Sequence, residues 1–195
     1  MPIISMRNDV MRWLVALAFA IGLMPAHAAI DAAIGSDGQL RVDMQHSRVI
    51  AQMAAPAKRP LRVDPPLAKE IRSAQAFFAV GRRAFVQDNA TWLLIVTQTE
   101  SRANHAAGAC GSGTEDTLRL VEVDMAKGRL VERSNLLLQS CLTGLSLNDD
   151  SGRSLQEALE AASDPSHLRL AWLNHPAYAD SPRTLTVADG AIKVE

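Results

Sequence analysis

The chain has 195 residues, 48% hydrophobic and 4% aromatic, with 20 Lys and Arg against 21 Asp and Glu and a formal net charge of −1. That balance excludes a protein held to nucleic acid by clustered cations. Phosphate neutralisation supplies most of such affinity, and the densest basic spots here are the pairs Lys58-Arg59 and Arg82-Arg83.

The first 28 residues read as a secretory signal peptide. Arg7 and Arg12 make a weakly basic start, Trp13 to Met24 is uncharged, and Pro25 leads into Ala26-His27-Ala28, the small-x-small pattern that a signal peptidase accepts. The uncharged run is well short of the roughly 20 residues that a helix needs to cross a bilayer. The expected mature chain therefore starts at Ala29, keeps no stable membrane anchor, and resides in the periplasm or outside the cell. Residues 29–195 suffice for one domain.

Cys110 and Cys141 are the only cysteines. In an oxidising compartment a lone pair is expected to form a disulfide, and a loop of this size gives about 3 to 4 kcal/mol in the chain-entropy account. A reactive thiol would need a close second cysteine or a positioned histidine, and the spacing offers neither.

Along the mature chain, Gly35-Ser36-Asp37-Gly38 is a turn signal, and Leu40 to Met44 alternates as a half-buried strand does, which predicts an early hairpin. Residues 54–66 carry four prolines and read as a surface crossing, since proline lacks the N–H that a sheet interior needs. Asp64 before Pro65-Pro66, with Leu67, Ile71 and Ala74 on one face, predicts a short helix at about 66–75. Strands follow on either side of Gly81-Arg82-Arg83. Asp88-Asn89 then turns the chain into Thr91 to Thr97, which is apolar at both parities, as in a strand covered on both faces. In Thr117 to Asp124 the apolar parity changes, which a bulge or burial on both faces would explain.

Ser154-Leu155-Gln156-Glu157 is a capping box and predicts a helix at about 155–162. Leu168, Leu170 and Trp172 alternate in another strand. Asp189-Gly190 is a type I′ turn pair, and it sets Ala188 against Ala191, Val187 against Ile192 and Leu185 against Val194. Together these elements predict an α+β fold: a mainly antiparallel β-sheet with two short helices and one disulfide.

The richest candidate site is the polar loop between Thr97 and Thr117, with Glu100, His105, Glu115 and Asp116 as candidate binding residues beside Cys110. Gly111 and Gly113 lack the third glycine and the Lys-Ser/Thr ending of a phosphate loop. His105 with nearby carboxylates could serve a metal or proton transfer, but no pair has the spacing of a strong metal signature. His46, His167 and His175 are isolated, and Trp92 and Trp172 fit a core. The expectation is an exported domain that acts by binding another protein without a cofactor or metal, as inhibitors, immunity-type proteins and envelope accessory factors do. The rival reading is a hydrolase or metal-dependent enzyme using His105 and the adjacent acids.

Overall fold

The computed structural model describes residues 29–46, 48–55, 58–101, 113–148, 152–178 and 181–195. The expected signal peptide and its cleavage site, His105 and Cys110 lie outside these residues.

Four strands open the chain as a meander: β1 (Ala29–Ile34), β2 (Gly38–Gln45), β3 (Arg48–Ala55) and β4 (Arg59–Val63). The Gly35 turn, at φ 63°, closes the first hairpin. Each inward residue is apolar and buried: Ile30 and Ala32, Leu40 and Val42, Ala51 and Met53, Leu61. The other face is largely exposed, so these strands alternate with period two.

Helix α1 (Pro65–Ser73) follows, with proline in its first turn and Asp64 at the N-cap position, although the Asp64 side chain makes no capping bond. Its Leu67 and Ile71 are buried in the same core as the inward residues of β1–β4. The short strands β5 (Ala76–Ala79) and β6 (Phe85–Gln87), separated by a 3-10 turn at Val80–Arg82, both pair with the long β7 (Ala90–Glu100). Asp88 and Asn89, at φ 52° and 59°, form the two-residue turn between β6 and β7. Then come β8 (Thr114–Asp124) and β9 (Arg129–Ser140).

The order β1-β2-β3-β4-β9-β8-β7-β5 bends into a nearly closed barrel. β4 lies parallel to β9 with Arg62 beside Arg129, and at the other seam Ala33 bridges Arg83 while the Ala84 N–H donates to the Ala33 carbonyl at 2.7 Å. Inside, β7 supplies Leu93 and Ile95, and β8 supplies Val121 and Val123. One charge is enclosed with them. The buried Arg119 of β8 donates to Thr97 Oγ1 at 2.9 Å, to both oxygens of Glu132 at 3.2 and 3.1 Å, and to Glu70 of α1 at 3.0 Å. A buried guanidinium is tolerable because its donors are met by carboxylates.

The outer faces of β7 and β8 are also apolar, through Trp92, Leu94, Val96, Leu118 and Leu120, and form a second core. It is covered by helix α2 (Leu155–Glu160) and by a separate three-stranded sheet of β10 (His167–Ala171), β11 (Pro182–Ala188) and β12 (Ala191–Val194), in that order. Ser154 accepts from the Glu157 N–H and Glu157 accepts from the Ser154 N–H, completing the capping box. The β11–β12 hairpin has the register that Asp189-Gly190 predicts, with Ala188 opposite Ala191, Val187 opposite Ile192 and Leu185 opposite Val194.

Two irregularities in β9 fit it to this second layer. The register with β8 shifts between Asp116 and Thr117 and again between Leu120 and Val121, which leaves Leu138 and Arg133 without cross-strand partners. The Leu138 carbonyl instead accepts the indole N–H of the fully buried Trp172 at 2.8 Å.

Two expectations are corrected. The fold is not an α+β arrangement but mostly β, because neither helix builds a layer: α1 lodges in the barrel and α2, of six residues, covers one patch of the outer core. Cys141 is not a free thiol, and Cys110, its expected partner, lies outside the described residues. The proline-rich stretch is not merely a crossing, since Arg59–Val63 is a strand of the barrel. Pro60 is accommodated because it pairs with Gln52 on one side and precedes the point where β9 takes up the other, at Arg62.

Trp172 gives a stability prediction. Trp172→Ala should cost about 3–5 kcal/mol through the cavity left in the second core. Trp172→Phe should cost about 1–3 kcal/mol, chiefly from the orphaned Leu138 carbonyl. Val86→Ala, at a site 72% exposed, should stay within about 0.5 kcal/mol. Urea unfolding at 25 °C checks all three, and a Trp172→Ala variant as stable as the wild type would show that the outer layer is not anchored here.

Candidate functional site

The residues singled out from the sequence do not converge. Glu100 is exposed at the end of β7, and His105 lies outside the described residues. Glu115 and Asp116 are consecutive on β8, so their side chains leave opposite faces of the sheet. Glu115 accepts from Ser101 Oγ at 2.5 Å and from the Leu142 N–H at 3.2 Å, which ties the ends of β7, β8 and β9 together. Asp116 is 1% exposed and accepts from the amides of Gln98 at 3.1 Å and Gln139 at 3.0 Å; its Oδ1 has no partner among the described residues. Both carboxylates thus bond to groups of their own sheet rather than turning together into a pocket.

A concave surface with apolar walls lies elsewhere. A cleft of about 460 Å³ opens between α2, the turn at 163–167 and strand β10, with Leu147 and Gln139 behind it. Its walls are built by two local patterns. The capping box starts a helix that turns Leu155, Ala158 and Leu159 to one side, and the alternation of β10 buries Leu168 while His167 and Arg169 stay exposed. Gln139 connects cleft and sheet: its Nε2 donates to Asp116 and its Oε1 accepts the Leu147 N–H at 3.4 Å.

Polar groups gather at the rim. Arg153 and Arg169 line the opening with Asp164 and His167. Asp164 accepts from Ser166 Oγ at 2.6 Å and from the Ser166 N–H at 2.9 Å, and these bonds, with the His167 ring beside it, hold its carboxyl below the usual range. Asp164, Ser166 and His167 have the residue types of a hydrolytic triad but not its geometry. There the acid and the nucleophile sit on opposite imidazole nitrogens. Here Ser166 Oγ, at 2.9 Å, and Asp164 Oδ2, at 3.3 Å, both face His167 Nδ1. The group is a turn, closed by the His167 N–H donating to the Asp164 carbonyl at 3.3 Å. Among the described residues no set of three His, Cys, Asp or Glu side chains is placed to hold a metal ion.

The backbone of β10 adds donors and acceptors to the cleft. Ala171 stands opposite Pro182, which has no N–H, so exchange of bonds with β11 falls on Leu168 and Leu170. The peptide groups of Arg169 and Ala171 consequently point away from β11, toward the cleft side. The sequence signals for α2 and β10 are each legible, but nothing local in them announces that the two lie side by side.

Glu115 supports a pH prediction. Burial opposes its ionisation, but the bonds from Ser101, Ser140 and the backbone of Leu142 and Cys141 outweigh that and lower its pKa from 4.5. A carboxylate depressed in the folded state stabilises the fold fully above its unfolded pKa and loses that contribution as pH falls through the folded value. Wild type should therefore lose more melting temperature between pH 6 and about pH 3 than Glu115→Gln does. Equal losses would mean that these bonds do not favour the ionised form.

Comparison with protein-family models, with characterised proteins and with solved structures finds no match to the chain, and its function is therefore read from its own residues.

Proposed function

We propose that this protein is an exported binding protein, periplasmic or extracellular, that takes a partner protein in the cleft between α2 and β10. The observation that carries the reading is the cleft itself, whose apolar walls from α2 and β10 stand beside charged rim residues. Apolar walls supply the driving force of association, and a few fixed polar groups supply orientation. Export rests on the leader-like first 28 residues. Binding is favoured over hydrolysis by the arrangement of Asp164, Ser166 and His167, which offers no imidazole nitrogen between an acid and a nucleophile.

Substituting a cleft wall tests this. Ala158 is half-buried on the cleft side of α2, so Ala158→Arg should block the opening while leaving the barrel intact. Envelope protein retained on immobilised wild type should be lost from Ala158→Arg, a weakening of at least about tenfold, or about 1.4 kcal/mol. The control Val86→Arg, on the exposed β6, should retain it. Equal retention by both variants would move the site away from the cleft.

A further inference from the structure

Resting on the export reading, we infer that cleavage before Ala29 creates a site for the chain's own new N-terminus, whose α-ammonium seats against Glu160 and ties the closing strand of the barrel to α2. Strand β1 begins at Ala29 itself, with Ala29 opposite Asp43 and no register shift as far as Ile34. The direction of its backbone follows from parity. The Ala33 carbonyl accepts the Ala84 N–H, away from β2, and in an antiparallel ladder alternate residues turn their N–H and C=O to the same side. The nitrogen of Ala29 therefore also points away from β2, toward the seam that β1 makes with β5 and the turn at Val80–Arg82. There it borders a hollow of about 240 Å³ lined by Ala29, Ile30, Asp31, Ala79, Arg82 and Glu160.

The charges around this hollow want a cation. Gly81, at φ 63°, lies so close to the end of α2 that a Cβ there would come within 2.8 Å of the Ala162 carbonyl, and this close packing brings Glu160 to the seam. Glu160 accepts from Arg82 through Oε2 and from the Gln156 amide through Oε1 at 3.1 Å. A carboxylate has about four lone-pair sites, so acceptor capacity remains. On the other side of Ala29, Asp31 and Asp43 share the guanidinium of Arg41, and Asp43 Oδ1 is buried without a partner among the described residues. Three carboxylates, Asp31, Asp43 and Glu160, thus face the two guanidiniums of Arg41 and Arg82. The uncleaved peptide bond places one uncharged N–H at Ala29, whereas cleavage places a positive charge with three donors there. Processing thereby supplies the missing cation at the seam where the barrel closes.

N-terminal sequencing of the protein purified after export should read Ala29 first. That chain and its Nα-acetylated form are then compared by thermal unfolding at about pH 6.5, where an α-amino group of ordinary pKa, about 7.7–8.0, is charged. Acetylation removes the charge and should lower Tm by about 2–4 °C, but by less than about 1 °C in Glu160→Gln. One extra glycine before Ala29 displaces the ammonium by about 3.3 Å, so acetylating that longer chain should also lower Tm by less than about 1 °C. The glycine-extended chain keeps Glu160, so it tests the seat even if Glu160→Gln fails to fold. The inference is overturned if acetylation leaves the Tm of the Ala29 chain unchanged, or lowers it equally in Glu160→Gln or in the glycine-extended chain. In those cases, with Ala29 first, the export reading stands and only the seat of the N-terminus falls. A different first residue overturns the inference, and retention of Met1 overturns the export reading with it.

Discussion

Everything in this fold depends on the two-sided burial of the β7–β8 hairpin. Leu93, Ile95, Val121 and Val123 face the barrel interior, while Trp92, Leu94, Val96, Leu118 and Leu120 face the outer layer. Each such side chain contributes about 1.5–3 kcal/mol when withdrawn from water, so neither face could be left uncovered in a marginally stable domain. The inner face is covered by curling β1–β4 around it and inserting α1. The outer face is covered by the C-terminal sheet and α2. The cleft is a by-product of that second covering: a three-stranded sheet and a six-residue helix cannot seal the outer layer completely, and the gap falls between them.

The bulge at Leu138 shows how the two layers are joined without a continuous sheet. A register shift ordinarily leaves a backbone carbonyl wanting a donor, and an unpaired buried carbonyl costs about 1–3 kcal/mol. Trp172 removes that cost with its indole N–H while filling the core with its ring. The Ile192 N–H, donating to Ser134 Oγ at 3.2 Å beside the other irregularity, makes a second tie from β12 to β9. Trp172 also fixes the residues on either side of it. Its bridge to Leu147 sets the line of the edge on which Arg169 stands, so the packing of one aromatic ring positions the cleft wall.

Local chemistry in the sequence made several elements legible. The capping box at Ser154 and Glu157, the positive-φ pairs Asp88-Asn89 and Asp189-Gly190, and the doubly apolar run of β7 each follow from interactions within a few residues. The parity change in β8 is explained by both devices that the pattern suggests, since the strand is buried on both faces and its ladder with β9 shifts register. What the sequence hid is long-range. Barrel closure needs Arg62 beside Arg129 and Ala33 beside Arg83, and no local signal encodes either. The strand at β4 was masked by Pro60, whose cost depends on which edge is paired, a fact that belongs to the neighbours.

The same distinction explains why polar residues gathered in sequence did not mark a site. Glu115 and Asp116 are adjacent in the chain, but adjacency on a strand separates side chains to opposite faces, where each is absorbed by bonds within the sheet. Leu155, Ala158 and Arg169 are spread across a helix and a strand, yet they line one cleft because both elements pack on the same outer core. Charge density along the sequence is thus a poor guide in a mostly β chain. Unpaired backbone is a better one, since in a sheet protein a strand edge left open beside an apolar cleft must either be protected or be used. At β10 the segment through Leu147 protects the C-terminal half, where the Asn148 N–H meets the Ala171 carbonyl.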